Sequence, residues 1–242
     1  MRNTNEWSKT KFFEHRDAVA YLEVLDGSGD KNIGTSFHVG NGVYITARHV
    51  VENKEIVEVS SDNGHDPFAG FGDKRPGLLE IAKEPLFHEN EAVDLACFVV
   101  KNPPKQYFEL GGHLECFLGN HELLLHKTLV MGFPKVPVSK RPHLIVSTGE
   151  INGLSEKYIG GQLAFIISTM ARGGFSGGPV LVAYSEENTI SGTALLGVVT
   201  ESLIENHGTA ESGFMAVTTI DPIYELLEQH DLLPDYQKLN LE

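Results

Sequence analysis

Cysteine is scarce in this chain, with only Cys97 and Cys116 among 242 residues. That scarcity excludes the dense disulfide framework of small secreted domains and fits a reducing cytoplasm better. Cys97 lies in an apolar run and is expected to act as a small core hydrophobe. Basic charge is also short, with 19 Lys and Arg against 33 Asp and Glu, a formal net charge of −14. That balance argues against binding of nucleic acid or of an anionic membrane through a basic surface, because phosphate contacts rest on Lys and Arg. No apolar run approaches the roughly 18 residues of a membrane span. The opening MRNTNEWSKTKFFEHRD has no apolar stretch of the signal-peptide kind, so no leader is expected.

Cofactor motifs are missing as well. No glycine-rich phosphate loop follows a strand, and His38, His65, His88 and His143 form no metal-ligand pattern. The run His121-Glu122-Leu123-Leu124-Leu125-His126 has one residue too many for the zinc-protease motif. Five helical steps turn the two imidazoles roughly 140° apart, where zinc needs a four-residue step on one face. Neither a metal nor another cofactor is expected.

Glycine, by contrast, is plentiful at 25 residues, and 41% of the chain is hydrophobic. That is enough for a full core in one domain or two small subdomains. The glycines concentrate their interest in Ala171 to Leu181, ARGGFSGGPVL, between the apolar runs Leu163–Ile167 and Val180–Val182. Glycine reaches φ > 0 and tolerates close approach of other groups. A turn of this kind holds the Ser176 hydroxyl out of the fold and can aim the N–H groups of Gly174 and Ser176 at one spot, as an oxyanion requires. A plain hairpin turn is the competing reading of the same stretch. Two further segments weigh against it. Ile45-Thr46-Ala47-Arg48-His49-Val50 ends an apolar strand on a histidine, and Glu91-Ala92-Val93-Asp94-Leu95-Ala96 puts an aspartate at the head of another.

In order, the chain reads as all-β. After a polar arm (1–17) come strands at Ala18–Leu25, Ile33–Val39, Val43–Thr46, Ile56–Ser60, Leu78–Ala82 and Val93–Val100. Asn41-Gly42 suits a tight hairpin, and Asp62–Gly77 is an aperiodic excursion. These make a first barrel over 18–101. Asn102-Pro103-Pro104 opens a crossover (102–127), because proline cannot sit in a central strand. A second barrel (128–220) follows, with strands at Thr128–Met131, His143–Thr148, Leu163–Ser168, Val180–Ala183, Ala194–Thr200 and Phe214–Thr218. The last segment (221–242) holds a C-terminal helix and tail, with Asp221 as N-cap and Pro222 at its first position. Two six-stranded antiparallel barrels that meet at a cleft are the expected architecture.

The ordered motifs G-T-S-F-H-V-G-N-G-V-Y-I-T-A-R-H-V-V (34–51), A-V-D-L-A (92–96), L-G-N-H-E-L (118–123), V-M-G-F-P (130–134), S-T-G-E-I (147–151), G-G-F-S-G-G-P-V (173–180) and L-G-V-V-T (196–200) span most of the chain. Together the chain resembles the trypsin-like serine peptidases of chymotrypsin fold, and within them the disulfide-free HtrA/Deg type. The resemblance implies a serine endopeptidase acting on protein or peptide substrates, with Ser176 as nucleophile, His49 as base and Asp94 as its orienting carboxylate. A serine hydroxyl needs such a base within hydrogen-bond reach, and imidazole exchanges a proton near neutrality. The oxyanion hole is then Gly174 and Ser176. The substrate pocket carries over to Met170, Thr200, Glu201, Ser202 and Gly213, without an aspartate at its floor, so a small or medium apolar side chain is expected before the cleaved bond.

Two departures are informative. Digestive relatives have an aspartate before the serine that pairs with a new N-terminus, whereas this chain has Phe175 and no Ile-Val-Gly-Gly start. Activity is therefore expected without N-terminal clipping. Phe175 itself either packs against the second barrel or belongs to a loop that toggles at Arg172-Gly173-Gly174. HtrA-like enzymes also carry a peptide-binding PDZ domain after the protease, and 221–242 is too short for one. Expected instead is a dedicated cytoplasmic protease, with an activating protein partner as one route of control in a stress or defence system. A catalytically silent relative used as a peptide-binding scaffold is the alternative.

Overall fold

The computed structural model describes residues 4–61, 77–112, 122–137, 139, 142–156, 162–170, 172–186, 189–204 and 211–238. The excursion at 62–76, Cys116, His121 and Ala171 lie outside them.

Seven-residue β1 (Val19–Leu25) alternates its side chains between two cores, as the period of a strand requires. Ala20, Leu22 and Val24 point inward with Tyr44, Ala47, Val59 and Phe98. Val19 and Tyr21 point the other way, into a core that also holds Leu129, Phe133 and Leu181 from the second half of the chain. Both faces are buried, so the strand reads as a nearly continuous apolar run. β1 pairs with β2 (Lys31–His38) and with β4 (Glu55–Ser61), while β3 (Val43–Thr46) joins β2 to β6 (Ala96–Val100), and β5 (Ile81–Phe87) closes the edge. The sheet order is β4-β1-β2-β3-β6-β5. Its two ends are brought together just before β5. Ser61 N–H donates to Gly77 O and Leu79 N–H to Val59 O, both at 2.9 Å, and the chain then runs straight into β5. This half is a curled six-stranded sheet laced at its seam, the first of the two barrels expected.

The second half closes completely. β7 (Lys127–Gly132), β8 (Ile145–Glu156), β9 (Leu163–Ser168), β12 (Glu211–Thr218), β11 (Thr189–Ile204) and β10 (Pro179–Glu186) form the barrel β10-β11-β12-β9-β8-β7. Its interior holds Val130, Ile151, Phe165, Ile167, Phe175, Val180 and Met215. β8, β11 and β12 all run longer than their apolar stretches indicate, because ladder hydrogen bonds continue through polar residues. β5 instead begins later than expected and extends through Phe87.

Helices seal the seam between the halves. Residues 4–15, expected as a loosely docked arm, form helix α1 (Thr4–His15). Trp7 is its anchor, buried with its indole Nε1–H donating to Thr193 Oγ1 at 2.8 Å. A single buried aromatic among polar neighbours carries no periodic signal, which is why composition hid the helix. The one-turn helix α2 (Arg48–Val51) follows β3. Helix α3 (Asp221–Gln229) begins at Asp221 itself, with Ile220 preceding it rather than Asp221 capping, and buries Ile223, Leu226 and Leu227. The short α4 (Asp235–Lys238) ends the described chain. Among the described residues no helix is long and apolar enough to cross a membrane.

Buried His38 joins the β2–β3 hairpin to the crossover. Its Nε2 accepts the Gly42 N–H at 3.0 Å and its Nδ1–H donates to Gln106 O at 2.8 Å. The Nε2 contact needs the neutral ring, and burial holds its pKa below the usual histidine value, against the opposing effect of the Gln106 bond. A histidine lowered in the folded state binds its proton more readily when unfolded. Its stabilising contribution is therefore full above about pH 6.5 and is lost as pH falls below that. Urea midpoints are expected to drop between pH 7.5 and 5.5, and His38→Gln is expected to shrink that difference; an equal drop in the variant would count against this account. Cys97 is a free thiol in the core, and burial pushes its pKa up to about 12.

Candidate active site

β3 delivers His49 by running from Val43 to Thr46 and turning at once into α2. The turn lifts the imidazole off the sheet, leaving the side chain half exposed. Opposite it, residues 88–95 loop back between β5 and β6. Val93 N–H donates to Asn90 O at 2.9 Å and Ala92 N–H to Asn90 Oδ1 at 3.0 Å, which folds the loop so that Asp94 faces α2. The Asp94 carboxylate then grips His49 twice. Oδ2 lies 2.7 Å from the ring Nδ1, and Oδ1 accepts the His49 backbone N–H at 2.9 Å. Two contacts from one carboxylate fix the ring's orientation and place the proton on Nδ1, which leaves Nε2 as the basic nitrogen.

Ser176 lies in the loop before β10 of the second barrel. Its carbonyl accepts the Thr35 N–H at 2.9 Å, so β2 carries it. Gly177, with φ +83°, is wedged tighter still, since a Cβ there would lie 2.1 Å from Thr35 O and 2.3 Å from Thr46 Oγ1. Thr46 and Ala47 directly precede α2. The serine loop is thus packed onto the strand end that bears His49, across the interface of the two halves.

Thr35 organises the loop before the serine. Its hydroxyl donates to Gly174 O at 2.6 Å and accepts the Phe133 N–H at 2.9 Å, contacts 139 and 98 residues apart in sequence. Phe175 N–H donates to Arg172 O at 3.3 Å across a turn that has Gly174 at φ +102°. Gly173 O accepts the Lys135 N–H, also at 3.3 Å. Across a trans peptide the carbonyl and the following N–H point in opposite directions. Anchoring Gly173 O on Lys135 therefore turns the Gly174 N–H away from Lys135. Phe175 is completely buried inside the second barrel, in agreement with the packing reading of that residue.

Of the carried-over pocket residues, Thr200, Glu201 and Ser202 lie on β11 and Gly213 on its neighbour β12, while Met170 follows the end of β9. Thr169 N–H donates to Gly213 O at 3.0 Å, which ties the segment before Met170 to β12. Met170 and Glu201 are exposed, Gly213 has φ +78°, and Ser202 pairs with Met215. Thr200 differs from the rest. It is buried, and its hydroxyl pairs with Thr218 Oγ1 at 2.9 Å. The β11–β12 register slips between Val199 and Glu201, a bulge at Thr200. Residues 122–125 of the histidine-rich run form a turn rather than a helix. Sequence reading passed over Thr35 and Lys135, although both sit in or beside quoted motifs. Their roles depend on contacts far apart in the chain.

Residues 34–186 match the model of the trypsin-like peptidase domain. The chain belongs to the trypsin-like peptidase family. Similar solved structures of peptidases include the Rv3671c protease of M. tuberculosis in its active form, at 17% identity and a TM-score of 0.64, covering 93% of this chain and 84% of that one. The inactive form of that protease aligns at 16% identity and a TM-score of 0.60, over 94% and 96% of the two chains. The HtrA-type protease AlgW with a tripeptide aligns at 15% identity and 0.62, covering 93% of this chain and 63% of that one. No curated protein matches by sequence. At such identities these structures speak for the peptidase fold alone, and the double-barrel architecture expected from sequence agrees with them.

Proposed function

We propose that this trypsin-like peptidase is a serine endopeptidase that hydrolyses peptide bonds of protein substrates through Ser176, His49 and Asp94. The observation that carries the proposal is the two-point grip of Asp94 on His49, set beside a serine loop docked on the same strand end. In the reaction, Ser176 Oγ attacks the scissile carbonyl while His49 Nε2 takes its proton. Asp94 holds the Nδ1–H and stabilises the imidazolium. Negative charge on the tetrahedral oxygen falls to the Gly174 and Ser176 N–H groups, a role supported by the Gly173–Lys135 anchor. His49 then protonates the departing amine, and a water repeats the sequence to release the acyl group from Ser176.

Substrate backbone adds alongside Thr200–Ser202 as an extra strand, with a small or medium apolar side chain near Met170 and Gly213. Phe175, buried and uncharged, offers no partner for a newly cut N-terminus, which supports activity without clipping. A free buried Cys97 supports a reducing, cytoplasmic setting. The test is labelling of the full chain from Met1 with a fluorophosphonate, followed by mapping of the adduct and a cleavage profile on a peptide library. A Ser176 adduct on the uncut chain with peptide cleavage is the expected result. An uncut chain that stays inert and gains activity only on N-terminal trimming would overturn the clipping-free reading, and a chain inert in every form would leave the scaffold role.

A further inference from the structure

Beneath the His49–Asp94 pair lies a charged side chain that the hydrolytic mechanism does not use. Arg48, next to His49 on α2, is nearly buried, with a side chain only 10% exposed. Its guanidinium donates to Glu52 Oε1 at 3.0 Å and to the carbonyl of His88, and it lies over the Phe87 ring at 5.1 Å. Its Nε–H is buried without a partner. Burying a guanidinium this way costs free energy that an apolar residue would avoid. Nothing in the surrounding core of Ala47, Val50 and Val51 calls for a charge.

What the arginine does is close a circuit. It binds His88 O, and His88 N–H donates to Leu95 O at 3.3 Å. Leu95 follows Asp94, Asp94 grips His49, and His49 follows Arg48. Two chain segments that share the catalytic pair are thus tied a second time, one residue behind it. The far side of the loop is fastened to α3. His88 Nδ1 accepts the Asn90 N–H at 3.1 Å, so its proton sits on Nε2, which donates to Glu225 Oε2 at 3.0 Å. Glu89 N–H donates to Gln229 Oε1 at 3.0 Å, and His230 Nε2 donates to Phe87 O at 2.9 Å.

From this geometry we infer that Arg48 is a positioning residue, clamping α2 to the 88–95 loop so that Asp94 keeps His49 oriented for proton transfer. The inference rests on the serine-peptidase reading for its consequence in rate, and on the His49–Asp94 geometry alone for its consequence in structure.

Two readouts on the full chain separate these. The first is inactivation by a fluorophosphonate, resolved into the rate constant at saturation and the half-saturating concentration. The second is the downfield proton resonance of the His49–Asp94 hydrogen bond. In Arg48→Met, which keeps the apolar stem, the inactivation rate constant is expected to fall about tenfold with half-saturation changed less than twofold, since small losses of alignment are costly at a reacting group. The downfield resonance is expected to broaden or vanish while circular dichroism is unchanged. Arg48→Lys, which keeps the charge but cannot reach Glu52 and His88 O together, is expected to lie between and decides the matter by the same readouts if the methionine variant does not fold. A folded variant with wild-type rate constant and wild-type resonance would overturn the clamp. A wild-type chain that does not react with the probe would instead overturn the peptidase reading, leaving the resonance to judge the clamp.

Discussion

Ser176→Ala is expected to abolish labelling by fluorophosphonate and to lower peptide hydrolysis by about 10⁴-fold or more. The loss is this large because in the proposed mechanism the hydroxyl supplies the bond-forming atom, and neither His49 nor the loop N–H groups can replace it. The fold should be indifferent to the change. The serine is held through its carbonyl on Thr35 N–H, a contact that alanine keeps. Melting temperature is therefore expected to stay within about 2 °C of wild type, in line with substitutions that remove no buried packing. Retained labelling at another residue, or hydrolysis within tenfold of wild type, would move the nucleophile elsewhere.

Gly177→Ala is expected to damage both stability and activity, and for a different reason. The residue has φ +83°, where a side chain costs about 1–2 kcal/mol. Its Cβ would also stand 2.1 Å from Thr35 O, 2.3 Å from Thr46 Oγ1 and 3.0 Å from Ala47 N. None of these is the loose end of a flexible chain, and Thr46 Oγ1 is itself bonded to Thr35 O at 2.7 Å. Relief requires the two halves of the molecule to part where the serine loop meets Thr35 of β2 and Thr46 of β3. A destabilisation of about 3 kcal/mol is expected, read as a melting temperature lower by roughly 10 °C. Activity should fall at temperatures where the variant is still folded, because the serine and histidine are displaced relative to one another. A variant with wild-type stability and rate would mean that the loop yields without moving the site.

Strand order was largely legible in the residues. Val19–Leu25, Val43–Thr46, Ala96–Val100 and Val180–Ala183 read as apolar runs because both their faces are buried, one inside a barrel and one at the interface between halves. Asn41-Gly42, the proline pair at 103–104 and the glycine cluster around Ser176 are local requirements of backbone geometry, so they announce themselves without tertiary context. Helix α1 was hidden, since its place depends on Trp7 reaching Thr193, 186 residues away. The lacing of the first sheet through Gly77 and Leu79 was hidden as well, because ladder bonds do not depend on side-chain identity.

The sequence by itself determined the chemistry on offer: a serine among glycines, a histidine at a strand end and an aspartate at a strand head, in family order. Those features are local, and local spacing records them. Only the tertiary structure decided that Asp94 holds His49 at two points, that Thr35 fastens the serine loop and that Arg48 ties the pair from behind. Each of these is a contact between segments far apart in the chain, and burial and direction, which make such contacts count, belong to the folded molecule.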